Sequence, residues 1–554
     1  MSAATRARHF AAAAIVAALA AALYLPFLGN PPVFDDRNFL SGLKFEYYAT
    51  HPIGLDLRLP GYFTLAVTEI LVGGIRAQRV FGLLLHVACA LVLYRLLYGL
   101  QRAVLPVAVA AQPQPFDAPA AVRAAIGASA FALHPVAVYG AAYMIQRSIV
   151  LATLFSLVSL VLFLRGLQRG SHADALSAAL FYSLAVLSKE HAVLLPAAAL
   201  PLAWLSGTGR RFALRHAGLY LAACAPAALF VTLLSVGVIG KPYEPQFDQI
   251  AAQMGDASGR GFTATPLALS AVTQAGLFFR YLALWLWPDT SGMSIDLRVD
   301  FLGSWSAAWI ALKMLAFLAA GALGVALVRR RGAASLSGFG LLYFWILFLV
   351  EFTAARYQEP FVLYRSYLWA PGVACIAVGL LALLPLRAAA AAGALACALL
   401  AYGAYDRLGT FANPLRLWED AAAKLPSAPV PWGSRTLYNL GREYLYAEQP
   451  AKALATAERC VAQYPQTAQC HYARGVIHLH LGEFEAAREH LARVLRLLPS
   501  AGVVHHRMGL ALEGLERIDE AKASYRTASK LGFKGADLEL ERLDAPKETS
   551  RRRR

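Results

Sequence analysis

Long apolar runs, cut by short arginine-bearing segments, fill the first 404 residues and constrain the fold more than any other feature. About 20 apolar residues in a helix match the roughly 30 Å hydrocarbon thickness of a bilayer. Such runs lie near 10–28, 80–98, 121–140, 148–165, 174–188, 191–206, 217–238, 304–328, 336–352, 362–384 and 388–404, about eleven in all. Charged residues make up 15% of the chain and mean hydropathy is +0.50, whereas a soluble chain carries about 25% charged residues. The expected fold is all-α, a polytopic membrane helix bundle. No small-residue cleavage site follows the first run, which therefore reads as an uncleaved anchor.

Arginine placement orients the bundle. Arg6 and Arg8 precede the first run and put the N-terminus in the cytoplasm. The loops on that side also hold Arg95, Arg102, Arg123, Arg165, Arg169, Arg210, Arg211, Arg215, Arg329, Arg330, Arg331 and Arg387, against only Asp117 and Asp174. Loops on the far side balance acids and bases. The net charge of +17 falls largely in these blocks, so it marks membrane orientation and not a nucleic-acid partner. Residues 265–287 are apolar too. A single crossing there would put Arg329–Arg331 outside, so the segment is expected as an in-plane or re-entrant helix with Gln274 and Arg280 on its polar side. An ordinary span, offset by another crossing elsewhere, is the alternative.

Beyond residue 404 a repeat takes over. Gly441, Gly475 and Gly509 are spaced by 34, as are Ala453, Ala487 and Ala521, and Pro465 and Pro499. Small residues where paired helices touch, with proline at the turn, define the tetratricopeptide pattern. The expected layout is a membrane domain over 1–406, a linker and degenerate lead-in helix over 407–433, repeats over 434–540 and a basic tail over 541–554. Such an α-solenoid either binds an extended peptide or partner protein in its concave face or serves as a structural cap. The span count puts it outside the cytoplasmic membrane, in the periplasm of a bacterial cell. Cys460 falls in the second helix of one repeat and Cys470 opens the next, so the two either form a disulfide in that oxidising compartment or serve separately as packing residues. The other four cysteines lie inside apolar runs, and no CxxC pair occurs.

Ionisable residues near a bilayer are costly, and four far-side clusters of them are candidate site elements. Asp35 and Asp36 follow the first run. They supply either a general base, with Arg37 placed to orient Asp36, or a helix cap. His134-Pro135, followed by Tyr139, Tyr143, Gln146 and Arg147, is a polar turn or a plain kinked helix end. Ser188-Lys189-Glu190-His191 is a cavity-facing turn or a salt-bridged one. Glu351–Tyr367 gathers Arg356, Glu359, Arg365 and several tyrosines, where arginine either grips a phosphate or anchors the interface. All four share one side of the membrane, which suits a cavity built from many loops.

The acidic pair after the first span, HP before a span, SKE between two spans, LYRSYL before the last helix pair and a C-terminal repeat array occur here in that order. In this the chain resembles the transmembrane and tetratricopeptide-repeat O-mannosyltransferases that modify cadherins, and their bacterial relatives, which share the GT-C fold of lipid-linked-sugar glycosyltransferases. The resemblance implies a catalytic carboxylate at Asp35 or Asp36 and a sugar donor on a polyprenyl phosphate. It implies an acceptor hydroxyl on an exported protein. Lys189, Arg356 and Arg365 are then the candidates for holding the phosphate, and Arg37, His134, Glu190 and Glu359 further site candidates. No cofactor and no metal are expected. Two departures stand out. LYRSYLWAP lacks the histidine or acid that relatives often carry before the arginine, and Trp369 intervenes before the proline. The repeat array is also short. An oligosaccharide ligase, a lipid or cell-wall glycosyltransferase, and a non-enzymatic scaffold that recruits proteins through the repeats are the alternatives.

Overall fold

The computed structural model describes residues 3–40, 44–51, 54, 56–105, 116–240, 266–299, 307–356 and 358–545. Part of the expected basic tail, 546–554, lies outside them. The chain divides into two units, 1–414 and 415–554. Helix Leu386–Phe411 runs unbroken past the expected 406/407 boundary, because its buried face continues through Ala404, Leu408 and Phe411. Among the described residues secondary structure is helical apart from one antiparallel bridge between Leu297 and Phe361.

Among the described residues, eight helices of the first unit are long and apolar enough to cross a membrane: Ala3–Phe27, Ile75–Val104, Met144–Arg169, Arg210–Leu234, Leu267–Leu286, Ala308–Val328, Ala333–Phe352 and Leu386–Phe411. A ninth arises if Ala118–Ala132 and Pro135–Ala141, bent by 64° at His134, are one broken span. Three of the runs expected to cross are shorter helices: Ala173–Ser188, Glu190–Leu205 and Ala370–Leu381. The reason is local. Tight 3-10 turns at Glu190–Leu194 and Leu363–Tyr367 consume the start of two apolar runs to place polar side chains. The remaining 12 residues of Ala370–Leu381 rise only about 18 Å.

The segment expected as in-plane or re-entrant forms one continuous helix, Pro266–Leu286, so no re-entrant break occurs. Gln274 and Arg280 do not share a solvent face: Gln274 is buried and Arg280 is exposed. One side of this helix holds the 354–366 segment. The Arg356 amide donates to Ser270 Oγ at 2.8 Å, Gln274 Nε2 to the Pro360 carbonyl at 2.8 Å, the Val362 amide to Tyr281 Oη at 2.7 Å, and Trp285 Nε1 to Ser366 Oγ at 2.9 Å. Arg280 lies over the Phe361 ring at 4.6 Å. Residues 270, 274, 281 and 285 follow the 3.6-residue period, so one helix face fixes a whole irregular segment.

The second unit opens with helix Pro414–Ala423 and stacks three helix pairs: Gly433–Tyr446 with Pro450–Gln463, Ala468–His480 with Phe484–Leu497, and Gly502–Gly514 with Ile518–Lys530. Helix Gly535–Asp544 closes the array and extends past the expected limit of 540. The phased alanines Ala453, Ala487 and Ala521 are fully buried. A Cβ on Gly509 would lie 2.4 Å from the Tyr525 ring, so only glycine permits that helix crossing. Cys460 and Cys470 are joined by a disulfide with Cα atoms 5.3 Å apart, inside a small apolar cluster with Leu437.

Candidate functional site

Two of the four polar clusters meet at Tyr143. The chain reaches helix Asp35–Leu40 through Phe34, whose φ of +47° is strained for a residue with a side chain. This turn sets both aspartates in the first helical turn, where backbone amides are free. Asp36 is 1% exposed, and its carboxylate accepts from the Ile145 amide at 2.8 Å and the Val33 amide at 3.3 Å. Burial pushes its carboxyl up to about 7, against the pull of the Ile145 amide, of Arg79 and of the Val33 amide. Asp35 is half-buried and accepts from the Tyr143 hydroxyl at 2.9 Å. Arg37 Nε donates to the Pro32 carbonyl at 3.3 Å, and the two backbone amides hold the Asp36 carboxylate. Arg79 locks this loop in place. Its guanidinium donates to the carbonyls of Asn30, Pro31 and Ala142 at 2.7, 2.7 and 2.8 Å.

The other two clusters meet at Glu351, a fully buried carboxylate. Arg365 Nη1 donates to it at 3.0 Å, Arg356 Nε approaches to 3.3 Å, and His191 Nε2 stands 3.2 Å away. Arg365 also donates to the Glu359 carbonyl at 3.0 Å and approaches the Glu359 carboxylate at 3.3 Å. His191 Nδ1 lies 3.3 Å from Glu190. Glu190 is gripped in turn by Arg58, whose Nε and Nη2 donate to its two oxygens at 3.1 and 2.6 Å. Burial lowers the Arg356 guanidinium and Glu351 opposes the shift. Buried charges persist only when paired, and here three acids and three arginines pair across three loops.

Lys189 is the exception. It is 3% exposed, and among the described residues its ammonium has no hydrogen-bond or ion-pair partner. Its ammonium lies over the Tyr364 ring, 5.8 Å from the centroid. Burial pushes its ammonium down to about 7, Arg58 adds to the shift, and Glu190 opposes it. An unpaired buried cation costs several kcal/mol, roughly, unless something anionic arrives. Of the three cations expected to hold a phosphate, Arg356 and Arg365 are already committed to carboxylates and Lys189 is not.

Tyr364 joins the two halves. Its ring lies 6.3 Å from that of Tyr143, and its hydroxyl donates to Glu359 at 3.2 Å. Asp35 and Lys189 are therefore two tyrosine rings apart. Gly140 allows the close packing behind them, since a Cβ there would lie 2.7 Å from the Tyr367 ring. His134 stands apart. Its Nδ1 accepts from the Val136 amide at 3.2 Å, its Nε2 donates to the Trp285 carbonyl at 3.1 Å, and it stacks on Trp285 at 4.2 Å. Both nitrogens are engaged, so His134 is a helix cap and not a member of the cluster. Sequence reasoning missed Arg58 and Arg79. Arg79 stands directly before the apolar run at 80–98, a charge at the edge of such a run as Arg356 is. Arg58 sits in a loop where nothing in the sequence singles it out.

Among the described residues no group of three or more His, Cys, Asp or Glu side chains is arranged to hold a metal ion. In the second unit the inner helices wall a groove of about 770 Å³ that includes Tyr446, Val476, His480, Arg507, Leu510 and Glu513.

Residues 438–502 and 503–531 match models of the tetratricopeptide repeat, and the C-terminal unit is a tetratricopeptide-repeat solenoid. Among solved structures the chain is similar to MamA AMB-1, at 17% identity over 44% of this chain and 100% of that one, with a TM-score of 0.19. It is also similar to the Cut9–Hcn1 hetero-tetramer of APC/C, at 14% identity over 92% of this chain and 91% of that one, with a TM-score of 0.24. At these TM-scores neither superposition bears on the fold. No curated protein matches the chain.

Proposed function

We propose that the chain is an integral membrane glycosyltransferase that moves a sugar from a polyprenyl-phosphate donor to a hydroxyl of an exported protein. One observation carries the reading: on the two sides of the Tyr143–Tyr364 pair stand Asp36, a buried carboxylate poised near neutral pH, and Lys189, a buried residue with no ion-pair partner among the described residues. A general base works best with a pKa near the operating pH. The Asp36 carboxylate, beside Asp35, takes the proton of the acceptor hydroxyl as that oxygen attacks the anomeric carbon. The bond from that carbon to the phosphate oxygen breaks, and the lipid phosphate leaves with the electron pair. Lys189 meets the charge that develops there. Glu351, Arg356, Arg365 and Glu190 hold the loops that carry these groups.

The long apolar helices among the described residues and the arginine bias support a bilayer location with the N-terminus in the cytoplasm. Repeats in the periplasm require an odd number of crossings, as when the bent pair Ala118–Ala132 and Pro135–Ala141 counts as a ninth span beside the other eight. The repeat groove supports recruitment of a protein acceptor. A pure scaffold leaves the unpartnered Lys189 without a role. The test is transfer from a radiolabelled polyprenyl-phosphate sugar to an envelope-protein extract by the purified full chain in lipid. Label should enter protein with wild type and not with Lys189→Met. Absence of transfer from every such donor would leave the scaffold reading.

A further inference from the structure

The middle repeat carries polar groups where its neighbours are mostly apolar. By the 34-residue period, His471, Arg474 and His478 occupy the positions of Leu437, Leu440 and Tyr444 in the first repeat, and of His505, Met508 and Leu512 in the third. His471 and His478 are buried, at 1% and 6% exposure. Polar groups in a core cost stability unless satisfied, and departures from a local rule concentrate where function requires them. His490, from helix Phe484–Leu497, completes the cluster. Its ring stacks at 5.5 Å on His471 and 5.7 Å on His478.

The hydrogen bonds fix the protons. The Pro465 carbonyl can only accept, so His471 donates from Nε2 at 2.9 Å and presents a lone pair at Nδ1. His490 Nδ1, 3.2 Å away, must donate to it. His478 donates from Nδ1 to Glu483 at 2.6 Å and accepts at Nε2 from Arg474 Nε at 3.4 Å. A second proton on His471 would sit at Nδ1 and meet the N–H of His490. That bond holds only while His471 is neutral.

We propose that the His471–His490 pair in this cluster is an acid-sensitive latch. Its protonation separates helices Ala468–His480 and Phe484–Leu497 and reshapes the groove wall formed by Val476, Leu479 and His480. The charged surroundings favour release. Arg474, Arg493 and Arg496 crowd the pair formed by His471 and His490. Glu458 of helix Pro450–Gln463 lies 3.6 Å from Arg474, and Glu483 is held by His478. On the flanking helices, Arg442 and Glu443 pair with each other, His505 bonds the Pro499 carbonyl, and His506 packs on Tyr525 and Phe533. Burial pushes His471 down and His490 down to about 4, with Arg474 adding to the latter. A lowered folded-state value means that stability is whole above about pH 6.5 and lost as pH falls toward about 4.

The test is hydrogen exchange, read by mass spectrometry on the full chain in lipid, at about pH 7.5 and about pH 5 with intrinsic rates corrected. Opening of 468–497 should rise about tenfold at the lower pH while 518–530 stays unchanged. The double variant His471→Leu/His478→Tyr, which installs the residues of the first repeat, should abolish the rise. His490→Gln, which hydrogen-bonds without titrating in this range, should do the same and decides the matter if the double variant does not fold. Equal protection of wild type at both pH values, or an undiminished rise in the folded variants, would overturn the latch.

Discussion

Replacing Lys189 with methionine separates stability from function, because the two should move in opposite directions. The ammonium falls from an ordinary 10.5 to about 7 on burial. At about 1.4 kcal/mol per pKa unit, that gap costs the empty protein on the order of 4–5 kcal/mol near pH 7. Between about pH 7 and pH 10.5 the unfolded chain binds the proton that the folded chain has lost, so wild-type stability rises with pH across that window. Lys189→Met removes the cost and the slope together. Thermal unfolding in detergent at pH values of about 7 and 9 reads both. Donor binding should meanwhile weaken by about 2–5 kcal/mol, the loss expected when one partner of a desolvated charge pair is removed. A variant less stable than wild type, with unchanged affinity for a polyprenyl-phosphate sugar, would refute the reasoning on both counts.

Asp36→Asn should lower the transfer rate by about 10²–10⁴, and the wild-type rate should climb with pH through about 7 as the carboxyl ionises. A variant that keeps that limb in the pH–rate profile would place the base elsewhere. Arg365→Ala leaves the buried Glu351 short of its best-aligned partner and should destabilise the first unit by about 3–5 kcal/mol. Selective loss of donor affinity in a protein of wild-type stability would instead make Arg365 a phosphate ligand. Cys460→Ala/Cys470→Ala opens a loop of sequence separation 10 and should lower the stability of the second unit by about 2–3 kcal/mol, read by denaturant unfolding with and without reductant. Equal stability in both conditions would show that the bridge does not form in the cell.

The repeats were legible because their information is local and periodic. Glycine, alanine and proline recur every 34 residues, and each has one packing reason to be there. The same phase put Cys460 and Cys470 on adjacent helices and left a disulfide and separate packing roles open; the structure joins them. Long apolar helices were legible from apolar runs, but run length did not show where the helices of 191–206 and 362–384 begin. There a short 3-10 turn at Glu190 or Leu363 diverts apolar sequence into holding polar side chains. Candidate residues were readable as charges that a bilayer would not tolerate without cause. Their partners were not. Glu351 with Arg365, or Arg58 with Glu190, are pairs made by loops distant in sequence, and sequence spacing carries no trace of them. For the same reason His134 was indistinguishable from a site histidine until its second nitrogen was found on Trp285.

The most direct test of sugar transfer to exported protein is intact-mass analysis of envelope proteins from cells carrying the wild-type chain, the Asp36→Asn chain or neither. The proposal predicts proteins heavier by whole sugar units in the wild type alone, with the unmodified masses in the other two. Identical mass spectra in all three, with the wild-type chain present in the membrane, would contradict it.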